Sequence, residues 1–559
     1  MKKLLTILFG SVLLSGGTAA EIPEASQNML HNVILRYQSH LPENCEIEFR
    51  IDETLPAETF VVSGNQKISI AGGSVRALFY GLGKVLRDNS FRGTDAPKKT
   101  ARGIYFATHF GNFYDNASEA ELRDYVADLS LWGCNEICVW FDMHHFNGIH
   151  DPAAQKKIAQ LRKIFNAARD CGMHGNLLSL ANEAYANSPE NLRADWHGNH
   201  NNYRSDLSGH YHVEICPNAP GGLELILRWR EEVFAAFADC GVDRISTCPY
   251  DQGGCTCEKC APFGAKGYWV IIPKFVELAR KHFKNCEFTM STWRFDSFTD
   301  GEWADLFRRD AELKQYVNAL SVDPADAGVV AKGAPGNLPM TGFNEISMAG
   351  MLPWGGFGAN PRPVNFEKEM HRCANFAGVR PYSEGIYEDM NKILMLAWCW
   401  NPRPMTEIAG DYFAFYFGEK TRQKGVEATI LLEQDLEHRT VLVQGDKRRS
   451  AYSAELVDPE KPWHLEYEAK NLDLARAEKA LALLDACQVS PEIAASWRWR
   501  ILYLRAVIDV KLAKNETIDA ELEQLYQLYH STKTTIPCLV PSAEPRWREI
   551  FMEKVTQHI

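Results

Sequence analysis

From Arg102 to about Asn401, short apolar runs alternate with segments whose apolar residues recur every three or four positions, the signature of a parallel sheet wound with helices. Eight runs read as strands: Gly103 to Phe106, Glu136 to Phe141, Gly175 to Leu180, Arg244 to Pro249, Glu287 to Thr292, Ala319 to Val322, Met340 to Phe343 and Val379 to Tyr382. Eight strands separated by helices over about three hundred residues suit an α/β fold of the TIM (β/α)8 barrel type better than an open sheet. The first helix between them carries its own punctuation. Ser118 and Glu121 form a capping box, Leu122, Tyr125, Val126 and Leu129 line one face, and Gly133 ends it.

The pattern changes on both sides of this region. Before it, Thr59 to Val62 and Lys67 to Ala71 read as short strands, and Ser74 to Asp88 reads as an amphipathic helix, together a small α/β layer over residues 21–100. The barrel is expected over 101–403. After Pro404 the periodicity reads as helical to the end, with Leu472 to Cys487 and Ser496 to Asn515 the clearest helices, so 404–559 is expected to be an α-helical domain. The first twenty residues read differently again. Lys2 and Lys3, the apolar run Leu4 to Leu14, and Thr18 and Ala20 have the order of a secretory signal peptide cleaved before Glu21, which predicts a secreted or periplasmic protein. No later apolar run is long enough to span a membrane.

Composition sharpens this picture in two respects. Hydrophobic residues are 45% and charged residues 24% of 559, an ordinary globular balance. The formal charge of −12 opposes attraction to nucleic acid or anionic lipid, and removing Lys2 and Lys3 makes the balance more acidic. There are 15 cysteines, most of them isolated in apolar contexts. Cys255, Cys257 and Cys260 stand apart, with three sulfurs in six residues after Gly253-Gly254. They are expected to hold a structural zinc if Cys248 or Cys216 supplies a fourth ligand, or to form a disulfide and leave one thiol free.

A barrel presents its chemistry at the C-terminal ends of its strands. The polar residues just past the eight runs are His109; Asp142 and His144; Glu183; Tyr250 and Asp251; Trp293 and Arg294; Asp323; Glu345; and Glu384, Glu388 and Asp389. Any one of these can cap a helix or satisfy a loop. Several carboxylates converging on one rim fit a sharper task, because glycosidic bond cleavage needs one protonated carboxyl and one ionised carboxylate. Tyr250, Trp293 and Trp354 then offer faces for sugar rings. His144 reads as a sugar ligand, since no metal-binding pair accompanies it.

Ile68-Ser69-Ile70-Ala71-Gly72-Gly73-Ser74, Arg76 and Leu78-Phe79-Tyr80-Gly81 resemble the end of the small domain preceding the barrel in family 20 hexosaminidases and family 67 α-glucuronidases. Tyr382 to Ile386, Glu388 to Lys392 and Trp400-Asn401-Pro402 are similar to segments near the last barrel strand of such enzymes. Asp251-Gln252-Gly253-Gly254 falls where they place a catalytic acid, although family 20 carries Asp-Glu there. The resemblance implies a glycoside hydrolase acting on a glycan, β-N-acetylhexosaminidase-like or α-glucuronidase-like. Asp251 would be the acid and Glu345 or Glu384 the base or nucleophile, with no cofactor required for catalysis. Two readings compete with it: a catalytically silent carbohydrate-binding protein on the same fold, and a zinc hydrolase using the cysteine trio, which would need an open metal position.

Overall fold

A computed structural model describes residues 6–9 and 21–528, except 109–111, 206, 208–212, 252, 347–360, 436–437, 445–446, 451–463, 470–471, 518–519, 522–523 and 525–527. Eight parallel strands close into a barrel: β1 (Ala101–Phe106), β2 (Glu136–Trp140), β3 (His174–Leu180), β4 (Val242–Cys248), β5 (Glu287–Ser291), β6 (Ala319–Val322), β7 (Met340–Gly342) and β8, in two pieces, Gly378–Val379 and Tyr382–Ser383. The ring closes where Gly378 pairs with Ala101 and Tyr382 with Tyr105. Pro381 interrupts β8 because it has no N–H to give the ladder. Its carbonyl still accepts from Tyr105 N at 2.9 Å, so the seam with β1 holds.

Every strand expected from the sequence is present, and the period of two explains their burial. Outward residues such as Ile104, Ile137, Val139 and Leu177 join the main core under the helices, whereas Tyr105, Cys138, Trp140, Leu178, Leu180, Cys248 and Tyr382 point inward and fill the lumen. Toward the base, the lumen turns polar. Glu136 accepts from Arg380 at 2.8 Å, Arg244 at 2.6 Å and Asn176 at 2.9 Å, and these cations hold its carboxyl at about 2 despite burial. A buried carboxylate survives there because it is paired and fully hydrogen-bonded.

Helices cover the outside. Glu119–Leu131 begins with the expected capping box, Ser118 Oγ accepting from Glu121 N at 3.3 Å while Glu121 accepts from Ser118 N at 2.9 Å. Pro152–Asp170, Gly222–Phe237, Gly267–His282, Pro363–Arg372 and Asp389–Trp400 continue the ring. Ahead of the barrel lies a separate sheet in the order Thr6–Phe9, Glu46–Ile51, Lys67–Gly72, Phe60–Ser63, Gly93–Asp95, with helices Glu24–Tyr37 and Val75–Arg87. Its edge strand Thr6–Phe9 lies within the apolar run read as a leader and pairs in parallel with Glu46 to Phe49.

After the barrel come helices Met405–Phe417, Arg422–Gln434, Leu474–Asp485 and Trp497–Ala513. The expectation that everything after Pro404 is helical is corrected by a three-stranded antiparallel sheet of His438–Gln444, Lys447–Ser450 and His464–Ala469. Thr440-Val441-Leu442-Val443 is rich in β-branched residues, and Gly445-Asp446 is a two-residue hairpin signal, so the segment favours strands on physical grounds. Among the described residues no helix is long and apolar enough to cross a membrane.

Candidate active site

The C-terminal mouth of the barrel gathers most of the expected residues. β4 ends at Cys248, and the next residues diverge. Tyr250 turns inward and is fully buried among Trp196, Phe263 and Phe298, where its hydroxyl donates to Glu302 and lies 3.3 Å from that of Tyr203. It is therefore a core residue and presents no face to a ring, which corrects the expectation. Asp251 turns outward with a left-handed φ of 82°, a conformation that costs a non-glycine residue free energy and is held only by its surroundings. Its side chain meets solvent but is walled by protein. That burial raises its carboxyl to about 6, against the opposing charges of Arg294 and His144.

Glu345 follows β7 and is held by a bridge to Tyr382 of β8, with Ile346 N donating to Tyr382 O at 3.3 Å. It is half-buried. Burial, then the negative charges of Asp251, Asp323 and Glu369, raise it to about 7, and Arg294 opposes them. Asp323, at the end of β6, caps the following turn by accepting from Ala325 N at 2.7 Å, and burial raises its carboxyl as well. Arg294, after β5, has a left-handed φ of 60° and lies 4.7 Å over the Phe298 ring. Among the described residues it closes no ion pair, and its charge acts on Asp251, Asp323 and Glu345 together. Beside it, half-buried Trp293 meets Phe343 edge-on at 5.0 Å, and Phe343 leans on Tyr382 at 6.0 Å, an aromatic wall joining β5, β7 and β8.

Glu384 lies deeper. It is 1% exposed and accepts from Tyr382 Oη at 3.0 Å, and burial with the charges of Glu388 and Glu345 pushes its carboxyl well above the usual range. Across the mouth, Glu183 accepts from His144 Nδ1–H at 2.8 Å and from Trp140 Nε1 at 3.0 Å, and His144 stacks on Trp140. Asp142 is buried beside Lys157 at 3.7 Å and His145 at 3.5 Å. Asp389 does not join the site. Buried in the first turn of its helix, it accepts from Tyr412 Oη at 2.8 Å and Arg498 Nε at 2.8 Å, so it fastens the C-terminal helix to the barrel. His109 and Trp354 lie outside the described residues.

Sequence reasoning overlooked Trp140 and Tyr382 as donors to site carboxylates, and Glu214, whose carboxyl is raised well above the usual range by burial and by Glu183. Trp140 and Tyr382 occupy inward positions of predicted strands, so strand alternation carried the signal. The cysteine trio gains Cys216 as its neighbour: the four sulfurs lie within 4.8 Å of one another. Cys248, the other candidate, lines the lumen.

This fold is one shared with glycoside hydrolases built on a (β/α)8 barrel. A family 138 glycoside hydrolase targeting pectin rhamnogalacturonan II superposes with a TM-score of 0.53 at 10% identity, over 96% of this chain and 74% of that one. A family 89 glycoside hydrolase from Clostridium perfringens, in complex with its substrate GlcNAc-alpha-1,4-galactose, superposes with a TM-score of 0.58 at 13% identity, over 88% of this chain and 61% of that one. The chain thus spans about three fifths of the length of the family 89 structure. No family model matches the chain. No curated protein matches it either.

Proposed function

We propose that the protein is a glycoside hydrolase in which Asp251 donates the proton to the leaving oxygen and Glu345 acts as base or nucleophile. One observation carries this reading: Asp251 at the end of β4 and Glu345 at the end of β7 share the barrel mouth beside one cation, Arg294, and the charge of Asp251 acts on Glu345. Such a pair passes through a state with one proton between the two groups, which is what acid-assisted cleavage of a glycosidic bond requires. Asp251 meets solvent and is placed to exchange its proton with water. Glu384, buried under Tyr382, lies within electrostatic reach of Glu345, and His144 with Glu183 orients a sugar hydroxyl.

Among the described residues the mouth sets Asp251, Asp323, Glu345 and Glu384 near Arg294, and burial raises each of the four carboxyls toward its neutral form. A rim of such carboxyl groups offers hydrogen bonds to a neutral or N-acetylated glycoside. One superposed enzyme targets pectin rhamnogalacturonan II and the other has GlcNAc-alpha-1,4-galactose as its substrate, which supports a glycan substrate. The apolar run and Ala20 support export, with cleavage before Glu21. That processing would remove the edge strand Thr6–Phe9, and N-terminal sequencing of protein from the producing cell reads it out.

The test is a panel of nitrophenyl N-acetylhexosaminides, hexosides and uronides with natural oligosaccharides, run on the wild type, Asp251→Asn and Glu345→Gln. Losing a positioned acid or base lowers kcat by about 100- to 10,000-fold. Glu345→Gln is expected to be rescued by azide if Glu345 is the nucleophile. Asp251→Asn is expected to retain most activity on activated leaving groups, which need little protonation. Equal turnover of natural oligosaccharides in all three proteins would refute the assignment. Glycan binding without turnover on any substrate would leave the silent carbohydrate-binding reading.

A further inference from the structure

We propose that Cys216, Cys255, Cys257 and Cys260 bind one structural zinc ion that fastens the loop after β3 to the loop after β4. The four sulfurs lie within 4.8 Å of one another, with Cys216 Sγ 3.8 Å from Cys257 Sγ and 3.7 Å from Cys260 Sγ. A disulfide needs its sulfurs about 2.05 Å apart. A tetrahedral zinc with bonds of about 2.3 Å separates its sulfurs by about 3.8 Å, the spacing found here. Three of the four side chains are buried and Cys257 is half-buried, so the group is shielded as a structural site requires.

The donor set specifies the kind of site. Four thiolates with no histidine, carboxylate or water position complete a tetrahedron, which makes the ion structural and leaves a zinc-hydrolase chemistry no open coordination position. A second observation comes from the surroundings. Asn218 Nδ2 donates to Cys260 Sγ at 3.1 Å, the sort of N–H···S contact that spreads the negative charge of a metal thiolate. The chain at the site also turns tightly, with Cys260 N and Ala261 N both bonded to Cys257 O at 2.9 Å.

The two loops are already bolted together at one point, and the cysteines form a second. Asn182, two residues past β3, gives its amide N–H groups to Ile215 O at 2.9 Å and Gly254 O at 2.7 Å and accepts from Gly254 N at 2.7 Å. Cys216 follows Ile215 and Cys255 follows Gly254, so the zinc would sit immediately beyond this amide clamp. Gly254 has φ 121°, and a Cβ there would come 2.6 Å from the Trp196 ring, so no other residue makes this turn without displacing Trp196. Asp251 lies four residues upstream of Cys255. The ion is a positioning element for the strained backbone that carries Asp251, and that consequence alone rests on the function proposed above.

The full chain, purified without chelator, is expected to contain about one zinc by mass spectrometry of its metals, as one closed tetrathiolate site requires. Protein loaded with cobalt(II) in place of zinc is expected to show thiolate-to-cobalt charge-transfer bands and tetrahedral d–d bands. Cys216→Ser and Cys260→Ser should each lose most of the metal, while Cys248→Ser keeps it. A metal-free wild type with disulfides among these four cysteines in non-reducing peptide maps would overturn the proposal. So would a cobalt spectrum without thiolate bands, which needs no variant to fold. Full zinc together with an Asp251→Asn undiminished on natural oligosaccharides would sink the function proposed for Asp251 and leave the zinc site standing.

Discussion

The charge of Asp251 raises the carboxyl of Glu345 across the mouth of the barrel, and Arg294 draws both back down. Residues from three strand ends therefore set one proton inventory. In the proposed reaction, activity needs a singly protonated pair, so kcat/KM should describe a bell whose limbs belong to the pair as a unit. Asp323 adds negative charge that raises Glu345. Asp323→Asn should move the bell to lower pH, because the pair then loses its protons more readily. An unmoved bell in a pH series of kcat/KM would remove Asp323 from the pair's electrostatics.

Trp293 is half-exposed and meets Phe343 edge-on, and in the proposed reaction its ring stacks on a sugar. Trp293→Ala should raise KM about three- to tenfold with a smaller effect on kcat, the scale of a single aromatic contact. Steady-state kinetics on a glycoside that the wild type turns over reads this split.

Glu302 is fully buried, accepts from Tyr250 Oη and Gly264 N, and is raised by burial from 4.5 to about 7. A carboxyl raised on folding binds its proton more tightly in the native state, so its contribution to stability is present below about 4.5 and is lost as pH rises through about 7. Glu302→Gln should carry a constant penalty for the lost bond from Asp296 N, yet its Tm relative to wild type should improve as pH rises across that window. Parallel Tm–pH curves would contradict this account.

Asp389 and Arg498 form a buried pair 109 residues apart, with Arg498 also 3.0 Å from Asp128. Arg498→Met should destabilise the protein by about 3–5 kcal/mol, because it leaves the buried Asp389 carboxylate without its ion-pair partner. Asp389→Asn with Arg498→Met should recover part of the loss. Urea unfolding measures both, and KM should stay near wild type in any variant that folds.

The barrel was legible because its strands announce themselves twice, by apolar runs and by the helical punctuation between them. The mouth was legible only as a set of positions. Tyr250 and Asp251 are neighbours in sequence and occupy opposite environments, since the left-handed turn at Asp251 sends one side chain to the core and the next to solvent. Nothing local marks that turn. Asp389 misled for another reason: its partner Arg498 lies in the C-terminal helix, and no periodicity links two residues so far apart. The sheet after Arg422–Gln434 was overlooked although Gly445-Asp446 flags it, because long helices on either side dominate the pattern. Cys216 was recognisable only as one of several cysteines until the fold brought it to the trio.

Glu136 holds Arg244 and Arg380 together low in the lumen, tying β2, β4 and β8 at the end away from the mouth. Rim side chains such as Trp293 and Asp323 can be exchanged to alter what the mouth recognises without touching the joint that keeps the staves in register. For anyone redesigning the specificity of this barrel, the region to leave alone is the floor.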